Sequence, residues 1–182
     1  MKTALLVVDI QNDYFPGGAM ELAGATAAGE RANAMLEAAR RKGLPIFHMQ
    51  HIAAHPGATF FLPDTPGAEI HRSARPADRE PVFQKHYPNS FRETPLLDRL
   101  RQKDISRLMI VGMMTHVCID TTTRAAADLG FQCLLASDAC ATRAQTFDGV
   151  TVPAESVQAA FLASLDGWFA QVSPVRDLCA AL

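Results

Sequence analysis

Apolar positions from Ala4 to Val8 run without interruption and end in an acid, Asp9 (ALLVVD), the pattern of a strand buried on both faces. Across Ala27–Lys42 the period lengthens. Ala32, Met35, Leu36 and Ala39 recur at helical spacing, and Gly43 supplies a stop. Leu44–Gln50 (LPIFHMQ) predicts a second strand and Pro81–Gln84 a short third one. Between them about thirty residues, His51–Pro81, rich in Pro, Gly, Ala and His, show no sustained periodicity; such a stretch inside a domain is commonly functional. Thr94-Pro95 pairs an N-cap with a first-turn proline, and Leu96, Leu97 and Leu100 give the following helix its buried stripe. Leu108–Val111 predicts a fourth strand, Val117–Leu129 a helix closed by Gly130, and Phe131–Ala136 a fifth strand. DACATR is expected to be a loop. A helix over Ala154–Leu165, a sixth strand at Phe169–Val172 and a short helix after Ser173-Pro174 complete the chain. Strands alternating with helices imply an α/β fold with a parallel sheet covered on both faces. In such sheets the ligand crevice lies beyond the carboxyl ends of the strands.

Composition narrows the picture by exclusion. The 182 residues suit one domain spanning 1–182, with no repeat, linker or low-complexity tract. A net charge of −2 and a pI near 6.3 give no electrostatic reason to expect nucleic acid or a membrane surface as partner. The first apolar run is too short for a signal-peptide core or a membrane span, so a cytoplasmic location is the expectation. Cys118, Cys133, Cys140 and Cys179 form no CxxC pair and no zinc spacing, which predicts reduced thiols. GGAMELAG contains glycines but no GxGxxG, and no phosphate loop occurs, so no cofactor is indicated.

Three residues pass the strand-end rule together. Asp9 ends the first strand, Lys85 follows the third, and Cys118 follows the fourth after a short turn. Each has a bland reading alone: a turn-capping aspartate, a solvated lysine, a small buried cysteine. With Thr115 as N-cap, however, Cys118 falls at the third helical position, where free N–H groups and the helix dipole stabilise a thiolate. A carboxylate to take the thiol proton, an ammonium to hold both charges and a thiolate to attack a carbonyl form a coherent set. The histidines offer a weaker alternative. HMQHIAAH holds His48, His51 and His55 without an acid between them, and the spacing fits no zinc pattern, so no metal is expected. Gln11, Phe15, His48, His51, His86 and Thr115 are further candidates for lining a small-molecule pocket.

VVDIQNDYF, KHYPNSFRETPLLDRL, GMMTHVCIDTTTRAAADLGF and SDACATR, in that order between residues 4 and 172, resemble the successive blocks of isochorismatase-like cysteine hydrolases. That superfamily includes nicotinamidases, N-carbamoylsarcosine amidohydrolase and ureidoacrylate amidohydrolases. The resemblance implies a three-layer α/β/α fold, Rossmann-like, with a six-stranded, mainly parallel sheet. It also implies an Asp9–Lys85–Cys118 triad and a non-proline cis peptide at Met113–Met114 that turns the N–H groups of Met114 and Cys118 into an oxyanion hole. Isochorismatases proper, which cleave a vinyl ether, typically lack the cysteine. Its presence here favours C–N hydrolysis of a small amide, ureido or carbamoyl compound through a thioester. The alternatives are an ether or ester hydrolase of isochorismatase type and a catalytically silent binding protein. Nicotinamidases carry an Asp-x-His metal pattern after the second strand, where this chain has HMQHIAAH. Such proteins are commonly dimers or larger, and the apolar segment Ala58–Pro66 (ATFFLPDTP) is expected to need a partner or a pocket to cover it.

Overall fold

The computed structural model describes residues 1–180 and 182. The first apolar run forms β1 (Thr3–Val8), followed by α1 (Ala25–Arg41), β2 (Ile46–His51), β3 (Val82–Lys85), α2 (Leu96–Gln102) and β4 (Arg107–Met113). A π-helical turn (Thr115–Ile119) leads into α3 (Asp120–Asp128) and β5 (Gln132–Ala141). A hairpin of β6 (Gln145–Phe147) and β7 (Val150–Val152), then α4 (Ala154–Leu165), β8 (Gln171–Ser173) and α5 (Val175–Ala180), complete the order. Six strands make one sheet in the order β3-β2-β1-β4-β5-β8, and every pairing in it is parallel. The chain builds outward from β1 in one direction and returns to build in the other, so strand order reverses between β1 and β4. Their carboxyl ends therefore flank the crevice.

Side chains of β1 alternate between two cores. Leu5 and Val7 pack with α1 residues Ala32, Met35, Leu36 and Ala39 and with Val175 and Leu178 of α5. Ala4, Leu6 and Val8 pack on the other face with Leu96 and Leu100 of α2, Ala126 of α3 and Leu165 of α4. A strand between two helical layers must be apolar at every position, which is why the run to Val8 is unbroken. Gly112 in β4 has φ +139, and a Cβ there would overlap the Val8 carbonyl oxygen. Only glycine lets the two strands approach this closely, immediately before Asp9.

Three expectations change. DACATR is not a loop: β5 continues to Ala141 beyond a register shift that sets Gly112 opposite Cys140. Its polar start is explained by Asp138, whose Oδ1 accepts the Val175 N–H at 2.7 Å and caps α5. Thr115 is not an N-cap. It is the first residue of the π turn, and its hydroxyl donates to the Ala141 carbonyl at 3.1 Å, tying that turn to β5. FFL is not a free apolar surface either. Phe61 is 1% exposed against Tyr14, Phe60 is half-buried, and Leu62 is the exposed one of the three, at 39%. The long segment after β2 contains two short 3₁₀ turns, Pro66–Ala68 and Arg72–Ala74, and folds back over the rim.

Candidate active site

Asp9 stands one residue past β1 in a left-handed conformation, φ 51, with its N–H bonded to the Met49 carbonyl at 3.1 Å. Side chains with a Cβ reach that region at a cost, and such residues cluster at functional sites. Lys85 closes β3, two strands away from β1, and its long side chain crosses the end of β2 to reach the carboxylate. The Lys85 Nζ lies 2.7 Å from Asp9 Oδ2, both side chains being 0% exposed. The approach is off the direction of a regular hydrogen bond, so the contact is an ion pair, and Asp9 Oδ1 has no partner among the described residues. Cys118, 4% exposed, projects from the π turn with Sγ 3.4 Å from the same Nζ. The ammonium also donates to the Tyr87 carbonyl at 3.0 Å and lies 3.2 Å from His51 Nδ1.

Burial dictates the charge states. For Lys85 it works against the ammonium, but the charges of Asp9 and Cys118 outweigh it and hold the pKa above that of an ordinary lysine. For Cys118, burial first and then the Asp9 carboxylate push the thiol up, against the opposing pull of Lys85. The resting sulfur is thus a thiol beside a carboxylate whose free oxygen can take its proton. Carboxylate, imidazole and sulfur atoms of Asp9, His51 and Cys118 lie within 4.8 Å of one another, the spacing of a metal site. Lys85 Nζ touches all three side chains, at 2.7, 3.2 and 3.4 Å, so an ammonium occupies the place a cation would take.

The other candidates divide. His51 joins the cluster. Gln11 is fully buried, and its amide is used up on backbone: Nε2 donates to His51 and Ala68 carbonyls at 2.8 Å each, and Oε1 accepts the His51 N–H at 2.7 Å. Gln11 therefore holds the rim segment in place instead of lining the pocket. Phe15 stacks on His71 with ring centroids 3.5 Å apart, at a surface cleft bounded by Asn12, Gly17 and Gly67. His48 lies three residues back from the end of β2, bonded to Glu80 at 2.9 Å. His86 is exposed, with Nδ1 bonded to the Ile52 carbonyl at 2.8 Å. Met114, which caps the π turn, accepts the N–H groups of Val117 and Ile119 on its carbonyl, and Met113–Met114 is a cis peptide.

Tyr14 and His116 escaped the sequence reading. Tyr14 is 1% exposed and packs on Phe61, and burial, followed by the charges of Cys118 and Asp9, pushes its phenol well up, so it is a neutral hydroxyl. In VVDIQNDYF nothing distinguishes Tyr14 from Phe15. Both rings are buried, and they part in the fold, Tyr14 packing on Phe61 and Phe15 on His71. His116 bonds Thr142 and meets Phe161 edge to face at 5.9 Å, on the π turn two residues from the cysteine.

Comparison with known proteins agrees with this architecture. Residues 3–176 match the Isochorismatase domain family. The uncharacterized isochorismatase family protein YddQ of Bacillus subtilis is 47% identical over 172 residues, 94% of this chain and 96% of its own length. Ureidoacrylate amidohydrolase RutB of Klebsiella pneumoniae is 27% identical over an alignment covering 100% of this chain and 87% of that protein. A solved structure of an isochorismatase-family protein from Oleispira antarctica superposes with a TM-score of 0.94 at 46% identity, covering 98% of this chain and 96% of the other. With a family match along nearly its whole length and the six-stranded parallel sheet that goes with it, the chain belongs to the isochorismatase family of hydrolases.

Proposed function

We propose that the protein hydrolyses a C–N bond in a small amide, ureido or carbamoyl compound, with Cys118 as nucleophile. The observation that carries this reading is the buried convergence of Asp9, Lys85 and Cys118, with Nζ 2.7 Å from the carboxylate and 3.4 Å from the sulfur. Asp9 takes the thiol proton as Sγ attacks the carbonyl carbon, and the backbone N–H groups of Met114 and Cys118 receive the oxyanion. As the C–N bond breaks, Asp9 returns the proton to the departing nitrogen, leaving an acyl thioester on Cys118. Water, giving its proton to Asp9, attacks that thioester and releases the acid and the thiol. Lys85 stays an ammonium throughout and stabilises the thiolate whenever the proton is on Asp9. A relative named as an amidohydrolase supports C–N chemistry. A thiol at this position favours acyl transfer over ether cleavage, which needs no nucleophile to carry an acyl group.

A panel of small amides, ureas and carbamoyl compounds, assayed for ammonia release, tests the reading. A turned-over compound should leave an acyl-sized adduct on the Cys118 peptide when quenched. Cys118→Ala and Cys118→Ser should fold and release nothing, while Cys133→Ala and Cys140→Ala stay active. Sustained turnover by folded Cys118→Ala would overturn the proposal.

A further inference from the structure

His51 has two ring nitrogens, and the structure gives each a different neighbour. Nδ1 lies 3.2 Å from Lys85 Nζ. An ammonium can only donate, so Nδ1 must offer its lone pair. The ring is also neutral: burial first lowers its pKa to about 4, and Lys85, His86 and His55 add to that against the opposing pull of Asp9. A neutral imidazole with a lone pair on Nδ1 carries its proton on Nε2. Among the described residues Nε2 has no hydrogen-bond partner and is not enclosed. Gln11 anchors the backbone of the residue, bonding both its N–H, at 2.7 Å, and its carbonyl, at 2.8 Å. The ring itself packs against Phe61, centroids 5.9 Å apart.

We propose that His51 is a specificity-determining residue: Lys85 locks it as the Nε2–H tautomer, and that N–H reads a hydrogen-bond acceptor on the substrate beside the carbon that Cys118 attacks. The substrate class follows, resting on the hydrolase reading above for the reaction itself. It is an amide or urea bearing a second acceptor, such as a ring nitrogen, another carbonyl or a carboxylate, close to the scissile carbonyl. Plain aliphatic amides cover the donor without offering it an acceptor and are poor substrates. The same ring serves as acceptor for the lysine and donor for the ligand, so one neutral side chain orients both.

Two measurements on the full chain test this. Long-range proton–nitrogen correlation spectra of protein labelled with nitrogen-15 histidine, with His51 assigned by its loss in His51→Gln, report the tautomer without any turnover. The expected spectrum has Nε2 protonated and Nδ1 bare across neutral pH, with the preference weakened in Lys85→Met. An Nδ1–H tautomer, or a doubly protonated ring at neutral pH, overturns the proposal. The second measurement compares alkylation of Cys118 by iodoacetamide, which carries an acceptor, with alkylation by allyl bromide, which does not. The ratio of the two rates should fall about fivefold in His51→Phe, the loss of one neutral hydrogen bond, and recover in His51→Gln. A purely structural role would slow both reagents equally, and an unchanged ratio removes the donor assignment. If Cys118 reacts with neither reagent the nucleophile reading fails, while the tautomer spectrum still decides whether Lys85 sets the ring.

Discussion

At the scale of single residues, Asp9 and Lys85 form a pair shut off from bulk solvent, both side chains 0% exposed. Neither charge is tolerable alone, and breaking a buried pair from one side costs about 3–5 kcal/mol. Asp9→Asn should therefore lose both turnover and roughly that much stability in urea unfolding. Asp9→Asn combined with Lys85→Met, which removes both charges, should regain most of the stability and stay inactive. A second ionic cluster lies away from Asp9, Lys85 and Cys118. Glu80 accepts from Arg40 Nε and Nη2 at 2.8 Å each, from the Ala77 N–H at 2.9 Å, and lies 2.9 Å from His48 Nε2. Burial opposes ionisation there, but Arg40, the Ala77 N–H and His48 prevail and hold the carboxyl at about 2 instead of the ordinary 4.5. A folded-state pKa below the unfolded one contributes stability that is present above about pH 4.5 and lost as the pH falls towards 2. Glu80→Gln should cost on the order of 2 kcal/mol near pH 7, and the deficit should shrink over that acid window in chemical unfolding series.

At the scale of elements, the site depends on how β4 passes β1. Gly112 and Gly43 both have positive φ, +139 and +65, but only Gly112 faces a backbone; Gly43 has open space where a Cβ would go. Gly43→Ala should cost about 1 kcal/mol, the strain of the conformation alone. Gly112→Ala must also push the two strands apart next to Asp9. It should cost about 3 kcal/mol or more and slow alkylation of Cys118, readable in thermal melts and thiol labelling. In the sequence both glycines read simply as element ends, Gly112 after LMIV and Gly43 after the helix ending in RRK, because spacing along the chain carries no record of which strand lies alongside. The same limit accounts for β5. Ser137 and Asp138 interrupt the apolar pattern, yet the strand resumes through Ala139, Cys140 and Ala141, and Asp138 is spent on capping α5. Conversely, Asp9, Lys85 and Cys118 were legible because a buried parallel strand announces its own end, and the rim of the sheet is where those ends meet.

At the scale of the molecule, the alternation of strands and helices was enough to place six strands and their common rim. The path of the segment between β2 and β3 was not, since nothing periodic guides it. It is held by single polar residues: Asp13 accepts the Phe61 N–H at 2.6 Å through Oδ2 and the Ala19 N–H at 3.2 Å through Oδ1. A Cβ on Gly67 would overlap that carboxylate, so the 3₁₀ turn Pro66–Ala68 closes onto the same point. With its backbone fixed there, Phe61 packs on Tyr14, centroids 4.6 Å apart, and Phe60 on Phe61 at 4.9 Å. Phe61 also packs on His51, centroids 5.9 Å apart, and Cys118 beside that ring's lysine is left 4% exposed. A site closed in this way admits a small molecule and excludes a bulky one. Iodoacetamide should therefore modify Cys118 in the native protein, whereas a fluorescein maleimide should require denaturant. Asp13→Ala removes the acceptor for the buried Phe61 N–H, and for the Ala19 N–H nearer the surface, at a cost of about 1–3 kcal/mol, and frees the segment that carries Phe61. In that variant the maleimide should reach Cys118 without denaturant, at a rate that follows local opening of the segment and not global unfolding. Equal exclusion of the maleimide in a folded Asp13→Ala protein would show that the wall stands without Asp13, and that the aromatic packing alone closes the site.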